Sequence, residues 1–218
     1  MKMIASPDRP TTSDCAARLP TLFLSGGITG APNWQPELLK MLEGVNGIAF
    51  NPRQPAFDMR DPANEVGQIE WEAEYLASSD AISFWFPKEA ACQITLYELG
   101  RWTEAAMRGN KRLFVAVEAG YRRSIDVRIQ TKLALPNLKI VNSLELLADQ
   151  IREWTMEPRD DETKSRSAEA LALETATKVT DLYMRYSGFL MSCIRSGETT
   201  SMTFDDFRRQ ERQAGRRM

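Results

Sequence analysis

Between residues 21 and 154, short and almost uninterrupted apolar runs alternate with segments of helical period. This alternation restricts the fold more than any other feature of the sequence. The runs fall at 22–24, 47–50, 81–86, 113–117 and 138–141, and the first three stop at Ser25-Gly26-Gly27, Asn51-Pro52 and Pro87. A strand that is apolar on both of its faces needs cover on both, which implies a parallel sheet between two helical layers. Helices are predicted at 36–43, 68–79, 95–108, 124–135 and 143–154, with Pro36 suited to a first turn and Ser143 to a cap. The expected architecture is α/β: a five-stranded parallel sheet in a doubly wound, flavodoxin-like or Rossmann-like sandwich of strand order 2-1-3-4-5. Such a sheet binds its ligand beyond the carboxyl ends of the strands, at the switch point between strands 1 and 3. That directs attention to the loops after Leu24, Phe50 and Phe86.

The flanks read differently. Residues 1–20 lack the apolar core of a signal peptide and are expected to be a mobile leader, residues 21–155 the α/β domain, and residues 156–218 a C-terminal helical extension. In the extension Leu171, Val179, Leu182, Tyr186, Leu190 and Ile194 recur at helical spacing and predict an amphipathic helix over 165–195. A lone amphipathic helix is marginal in water, so its stripe is expected to pack on its own domain or to build a homo-oligomer. Thr203 is positioned to cap a last short helix carrying Arg208, Arg209, Arg212, Arg216 and Arg217, interleaved with Asp205, Asp206 and Glu211. With a net charge of −2 the chain has no global basic field, and no nucleic-acid partner is expected. No apolar run reaches the roughly 18 residues of a membrane span, so no membrane partner is expected either. The cysteines Cys15, Cys92 and Cys193 are isolated, which argues against zinc and a disulfide framework and fits a reducing cytoplasm.

The chain contains no histidine. That excludes Ser-His-Asp and Cys-His catalysis and every metal site built on imidazole. Acid–base chemistry near neutral pH is left to carboxylates, Lys, Tyr or Cys. Glu98 is the first candidate. It sits near the start of the helix after the third strand, in line with Trp102 and Ala105, and so on the apolar side. Thr95-x-x-Glu98 is also a capping-box pattern, so a capping role stands beside a catalytic one. Glu72 is the second. It borders an expected inward stripe of Ile69, Ala73 and Leu76, where either a functional role or an arginine partner would account for it. Candidate substrate-binding residues are Ser25, Gly26 and Gly27 after the first strand, Arg53 after the second, Asp80 and Trp85 around the third, and Gln93 before Glu98. Each has a plainer structural reading: a tight turn, a surface ion pair, a turn cap, or core. Cys92 has no imidazole to activate it as a nucleophile.

Four local matches in order resemble the nucleoside 2-deoxyribosyltransferase-like family. They are Leu22–Gly30 (LFLSGGITG), Asn51-Pro52-Arg53, the block from Gln68-Ile69-Glu70-Trp71-Glu72 through Ser79–Pro87, and Tyr97-Glu98-Leu99-Gly100. The resemblance implies cleavage of the N-glycosidic bond of a nucleoside or nucleotide, with the sugar passed to water or to another base. It implies Glu98 as the nucleophile on C1′, Glu72 as an acid toward the departing base, and neither metal nor cofactor. Where the family often carries an acidic base-reading residue, this chain has Ala90-Ala91-Cys92-Gln93, and the Gln93 amide is the substitute. Two further functions remain on the table: a glycohydrolase acting on NAD or a signalling nucleotide as a defence or toxin effector, and a non-catalytic nucleotide-binding or assembly module.

Overall fold

The computed structural model describes residues 1–17, 19–54 and 62–157, and in the C-terminal stretch residues 202, 203, 206 and 210. The chain divides after Pro158, and the architecture below is that of the first unit. Its elements are β1 (Lys2–Ala5), α1 (Thr12–Ala16), β2 (Thr21–Gly26), α2 (Gln35–Met41), β3 (Ile48–Asn51), α3 (Pro62–Ser78), β4 (Ala81–Phe86), α4 (Gln93–Met107), β5 (Arg112–Val117), α5 (Ser124–Ala134), β6 (Ile140–Val141) and α6 (Leu144–Met156). All pairings are parallel, in the order β1-β3-β2-β4-β5-β6. The five strands read from the sequence appear in the expected 2-1-3-4-5 order, as a flavodoxin-like sheet requires.

The sheet has six strands rather than five, because residues 1–20 are not a loose leader. Lys2–Ala5 pairs with Ile48–Asn51. The ladder is extended by Lys2 N–H to Gly47 O at 2.8 Å and Ser6 N–H to Asn51 O at 2.9 Å. Trp71 Nε1 donates to Asp8 O at 2.8 Å, and Arg9 pairs with Glu74 at 2.8 Å, which fastens the segment to α3. The strand escapes detection because it buries a single large side chain, Ile4, while Met3 stays 47% exposed.

Period-two alternation sorts the strand side chains into two cores. Phe23, Phe50, Ile82, Phe84, Phe86, Leu113, Val115 and Val117 pack with Trp71, Tyr75 and Leu76 of α3, Leu99 of α4 and Val127 of α5. Leu22, Leu24, Ala49, Ala81, Trp85, Phe114 and Ala116 pack with Trp34, with Leu38 of α2, with Leu42, and with Leu147, Ala148 and Ile151 of α6. The inward stripe of α3 is rotated from the expected one. Ile69 is exposed, and Trp71 and Tyr75 are buried instead. The cause is aromatic packing, with Tyr75 stacked on Phe50 at 4.2 Å and Trp71 tilted against Tyr75 at 4.6 Å.

Among the described residues no helix is long and apolar enough to cross a membrane. The stretch 165–195, on which the expectation of a homo-oligomer rests, lies outside the described residues, as do the five arginines near the C-terminus. Thr203 and Asp206 are described: Asp206 N–H donates to Thr203 Oγ1 and Thr203 N–H donates to Asp206 Oδ2, both at 3.2 Å. That is a reciprocal cap at the predicted position.

Two glycines let the loops after β2 and β4 approach each other. A Cβ on Gly26 would lie 2.5 Å from the Trp34 ring and 2.8 Å from Trp85 O. A Cβ on Gly27 would lie 2.8 Å from Pro87 Cγ, 2.9 Å from Ala90 Cβ and 3.0 Å from Cys92 Sγ. Gly27→Ala is therefore expected to cost about 1–3 kcal/mol of stability by overpacking this junction. Chemical denaturation measures the cost, and an unchanged midpoint would mean that the loops part freely.

Candidate active site

Ser25 and Glu98 meet across the switch point of the sheet. Ser25 shares the parity of Phe23 on β2 and so points toward the layer of α3 and α4, whereas Leu22 and Leu24 point to the other layer. On α4 the buried residues are Thr95, Glu98 and Leu99. Glu98 is only 9% exposed, Ser25 1%, and Ser25 Oγ donates to Glu98 Oε2 at 2.6 Å. This is a short, charge-assisted contact in a setting without bulk water.

The helix begins earlier than the sequence suggests, and this removes the capping role of Glu98. Helix α4 starts at Gln93, its N-cap is Cys92, and no side chain caps it. Glu98 therefore lies in the second turn, too far along to cap and beyond the first turn in which the helix dipole acts most strongly. Cys92 adopts φ 52°, a left-handed conformation rare outside glycine, and turns the chain sharply from Ala91 into α4. Its thiol is buried, with a pKa pushed up to about 11 by desolvation. The raised pKa keeps it neutral.

Burial governs the ionisation of Glu98. Desolvation raises its pKa to about 7. The Ser25 hydrogen bond opposes that rise, the charge of Glu72 adds to it, and Arg101 opposes it. The electrostatic influence of Glu72 on Glu98 puts the two carboxylates in one neighbourhood. Glu72 is half-buried on α3, one helical turn beyond Gln68, whose Nε2 donates to Glu72 Oε1 at 2.7 Å. Desolvation raises the Glu72 pKa too, and the Gln68 donor holds it partly down. Two acids kept short of water, each with one hydrogen-bond donor among the described residues, are equipped for proton transfer and for stabilising positive charge.

The other candidates divide. The backbone of Gly27 is engaged inside the protein: its N–H donates to Trp85 O at 3.2 Å, and its carbonyl accepts from Trp34 Nε1 at 2.9 Å. With Gly26 it shapes the crevice by close packing rather than by offering free amides. Arg53 lies on the crevice side, but its Nη2 donates to the carbonyls of Ile28, Ala31 and Pro32 at 3.0, 3.3 and 3.1 Å, so it braces the loop after β2. Gln93 is exposed at the first position of α4, at the crevice end.

Asp80 and Trp85 do not join the cluster. Asp80 precedes β4 and so lies at the opposite end of the sheet, where its Oδ2 accepts from both Thr21 N–H and Thr21 Oγ1 at 2.8 Å. It clamps the starts of β2 and β4. Trp85 has the parity of Ala81 and is 6% exposed in the core beneath α2 and α6, on the face away from Glu98.

Sequence reasoning missed Gln68, Ser6 and Gln54, which join in hydrogen bonds beside Glu72. The spacing of Gln68 and Glu72, one turn apart on one helix, was a usable signal. The contribution of Ser6, 62 positions before Gln68, had none. Among the described residues no three Asp, Glu or Cys side chains gather as a metal site would need.

No curated protein matches the chain. Residues 19–121 match the family model described as nucleoside 2-deoxyribosyltransferase like, so the resemblance seen in the sequence holds over the stretch that carries Ser25, Glu72 and Glu98.

Proposed function

We propose that the α/β unit cleaves the N-glycosidic bond of a nucleoside or nucleotide, with Glu98 as nucleophile and Glu72 as acid. The observation that carries this reading is the buried Glu98 carboxylate, held by Ser25 Oγ at 2.6 Å with Glu72 close enough to shift its ionisation. The position suits a ligand site, since it lies beyond the carboxyl ends of β2 and β4 where the chain reverses its winding. The family match supports the substrate class.

The chemistry balances on these two residues. As the C1′–N bond breaks, its electron pair passes to the base nitrogen and positive charge grows on the sugar. Ionised Glu98 bonds to C1′, and the proton of Glu72 neutralises the departing base. Water or a second base then attacks C1′, the ester to Glu98 breaks, and Glu72 recovers a proton from the attacking group. This is the two-carboxylate logic of retaining glycosidases applied to a nitrogen leaving group. Ser25 bonds the nucleophile, and Gln93 and the loop after β4 are left to meet the base.

Base release from a panel of 2′-deoxynucleosides, ribonucleosides, their monophosphates and NAD, followed by chromatography, tests the reading and identifies the substrate. Glu98→Ala is expected to lower release by at least ~10³-fold. Glu72→Gln is expected to lower it by about 10²- to 10³-fold. Release that survives Glu98→Ala would overturn the assignment of the nucleophile.

Two pH effects follow from the position of Glu98. The ionised fraction of the nucleophile should rise with pH through about 7, and turnover should rise with it for as long as Glu72 keeps its proton. Stability moves the other way. The folded-state pKa of Glu98 lies above the ordinary 4.5, so the folded protein binds the extra proton. That contribution is complete below about 4.5 and is lost as pH rises through about 7. Glu98→Gln, which cannot ionise, should therefore gain in thermal midpoint over the wild type between pH 5 and pH 8. A gap that stays constant over that range would contradict the buried, titrating carboxylate.

A further inference from the structure

Gln68 has every hydrogen-bonding position of its amide engaged. Nε2 donates to Glu72 Oε1 and to Pro52 O, both at 2.7 Å. Oε1 accepts from Ser6 Oγ at 2.7 Å and from Gln54 Nε2 at 2.5 Å. Gln54 Nε2 also donates to Ser6 Oγ at 3.0 Å, which closes a triangle of three side chains. An amide has two donor hydrogens and two acceptor lone pairs, so this set uses all four. Rotating the amide by half a turn would set its oxygen against a carboxylate and a carbonyl, and its hydrogens against two donors. The network therefore fixes which end of Gln68 faces Glu72.

Ser6 lies outside the stretch that matches the family, in the segment 1–20 that the sequence suggests is a leader. It follows β1 directly at the carboxyl end of the sheet and is 2% exposed, with its N–H bonded to Asn51 O. As β1 runs parallel to β3 in the register Ala5 to Asn51, Ser6 arrives beside the Asn51–Gln54 turn and above Gln68. Sheet pairing alone would be served as well by an apolar residue at this point. A buried polar cluster stabilises little beyond an apolar filling, and its usual product is a single fixed geometry.

We infer that Gln68 and Ser6 are positioning residues for Glu72, and that the N-terminal strand is thereby a working part of the active site rather than a leader. The inference rests on the reading of Glu72 as the acid. The strand supplies the hydroxyl, the hydroxyl orients the amide, and the amide presents a hydrogen to one oxygen of Glu72. The other oxygen is then the one free to give its proton. Among the described residues, the charged groups around this point are consistent with the amide being the donor that acts on Glu72. Glu98 lies within electrostatic reach, Arg9 is paired with Glu74, and Arg53 is turned onto the carbonyls of Ile28, Ala31 and Pro32.

The test needs no substrate for its first half. The Glu72 carboxyl carbon, assigned by its loss in Glu72→Gln, is titrated by NMR in the full chain labelled with 13C-glutamate. Gln68→Met keeps the length of the side chain and removes the donor. It should raise the midpoint of Glu72 by about one pH unit. Ser6→Ala should raise it in the same direction by less, since Gln54 still reaches Gln68. The second half is base release by Ser6→Ala in two backgrounds, with an expected fall of about tenfold in the wild type and none in Glu72→Gln. Identical Glu72 titrations in wild type, Gln68→Met and Ser6→Ala would overturn the inference. So would an equal loss from Ser6→Ala in both backgrounds, which marks a general structural role. If the titrations shift while Glu72→Gln and Glu98→Ala leave base release intact, the functional reading has failed and the positioning contact stands.

Discussion

The burial of the Glu98 carboxylate against the Ser25 hydroxyl is the constraint around which this end of the molecule is arranged. An unpaired carboxylate out of water is costly, and one hydrogen bond offsets only part of that cost, so the group titrates near neutrality instead of near 4.5. Two features hold the pair in place. The parity of β2 turns Ser25 toward α4, and the sharp left-handed turn at Cys92 starts α4 early enough to bring Glu98 inward in its second turn. The bare faces of Gly26 and Gly27 let the flanking loops close to contact distance. A substitution in any of these positions would reach Glu98 through the backbone.

The sheet was legible in the sequence because its central strands are buried on both faces and so are written as continuous apolar runs. That same property hid the orientation of Trp85. In a segment where every residue from Ala81 to Phe86 is buried, polarity carries no parity, and only the neighbours of the folded strand show that Trp85 faces α2 and α6. Strand β1 was invisible for the opposite reason, since it buries one large side chain and takes its order from backbone pairing with β3. The start of α4 was misjudged at Thr95 because Cys92 has neither a capping side chain nor a sequence that announces positive φ. Asp80 directly precedes the third predicted strand in sequence, where a cap and a ligand contact are both open readings. A strand of six residues separates the two ends of the sheet, and Asp80 is at the wrong one.

The candidate site was legible only in part. Glu98 stands out as an acid on the apolar side of its helix and Glu72 as one bordering an apolar stripe, both patterns local to a helix. Gln68 holds Glu72 from one turn away on the same helix, but Ser25, which holds Glu98, and Ser6, which holds Gln68, reach their partners only through the docking of elements far apart in sequence. Ser25 is 73 residues from Glu98, and Ser6 is 62 from Gln68. The family match, which begins at residue 19, likewise leaves β1 and Ser6 outside. Among the described residues Glu98 is supported from strand β2 and Glu72 from its own helix α3.

If Glu98 bonds to C1′, the sugar must remain on the protein for a moment after the base has left. Rapid acid quenching during turnover of the substrate that the panel identifies, followed by proteolysis and mass spectrometry, reads that state directly. The account predicts a peptide containing Glu98 that is heavier by one sugar residue and that disappears in Glu98→Gln. Steady base release, with the Glu98 peptide unmodified and the sugar found on another side chain, would contradict it.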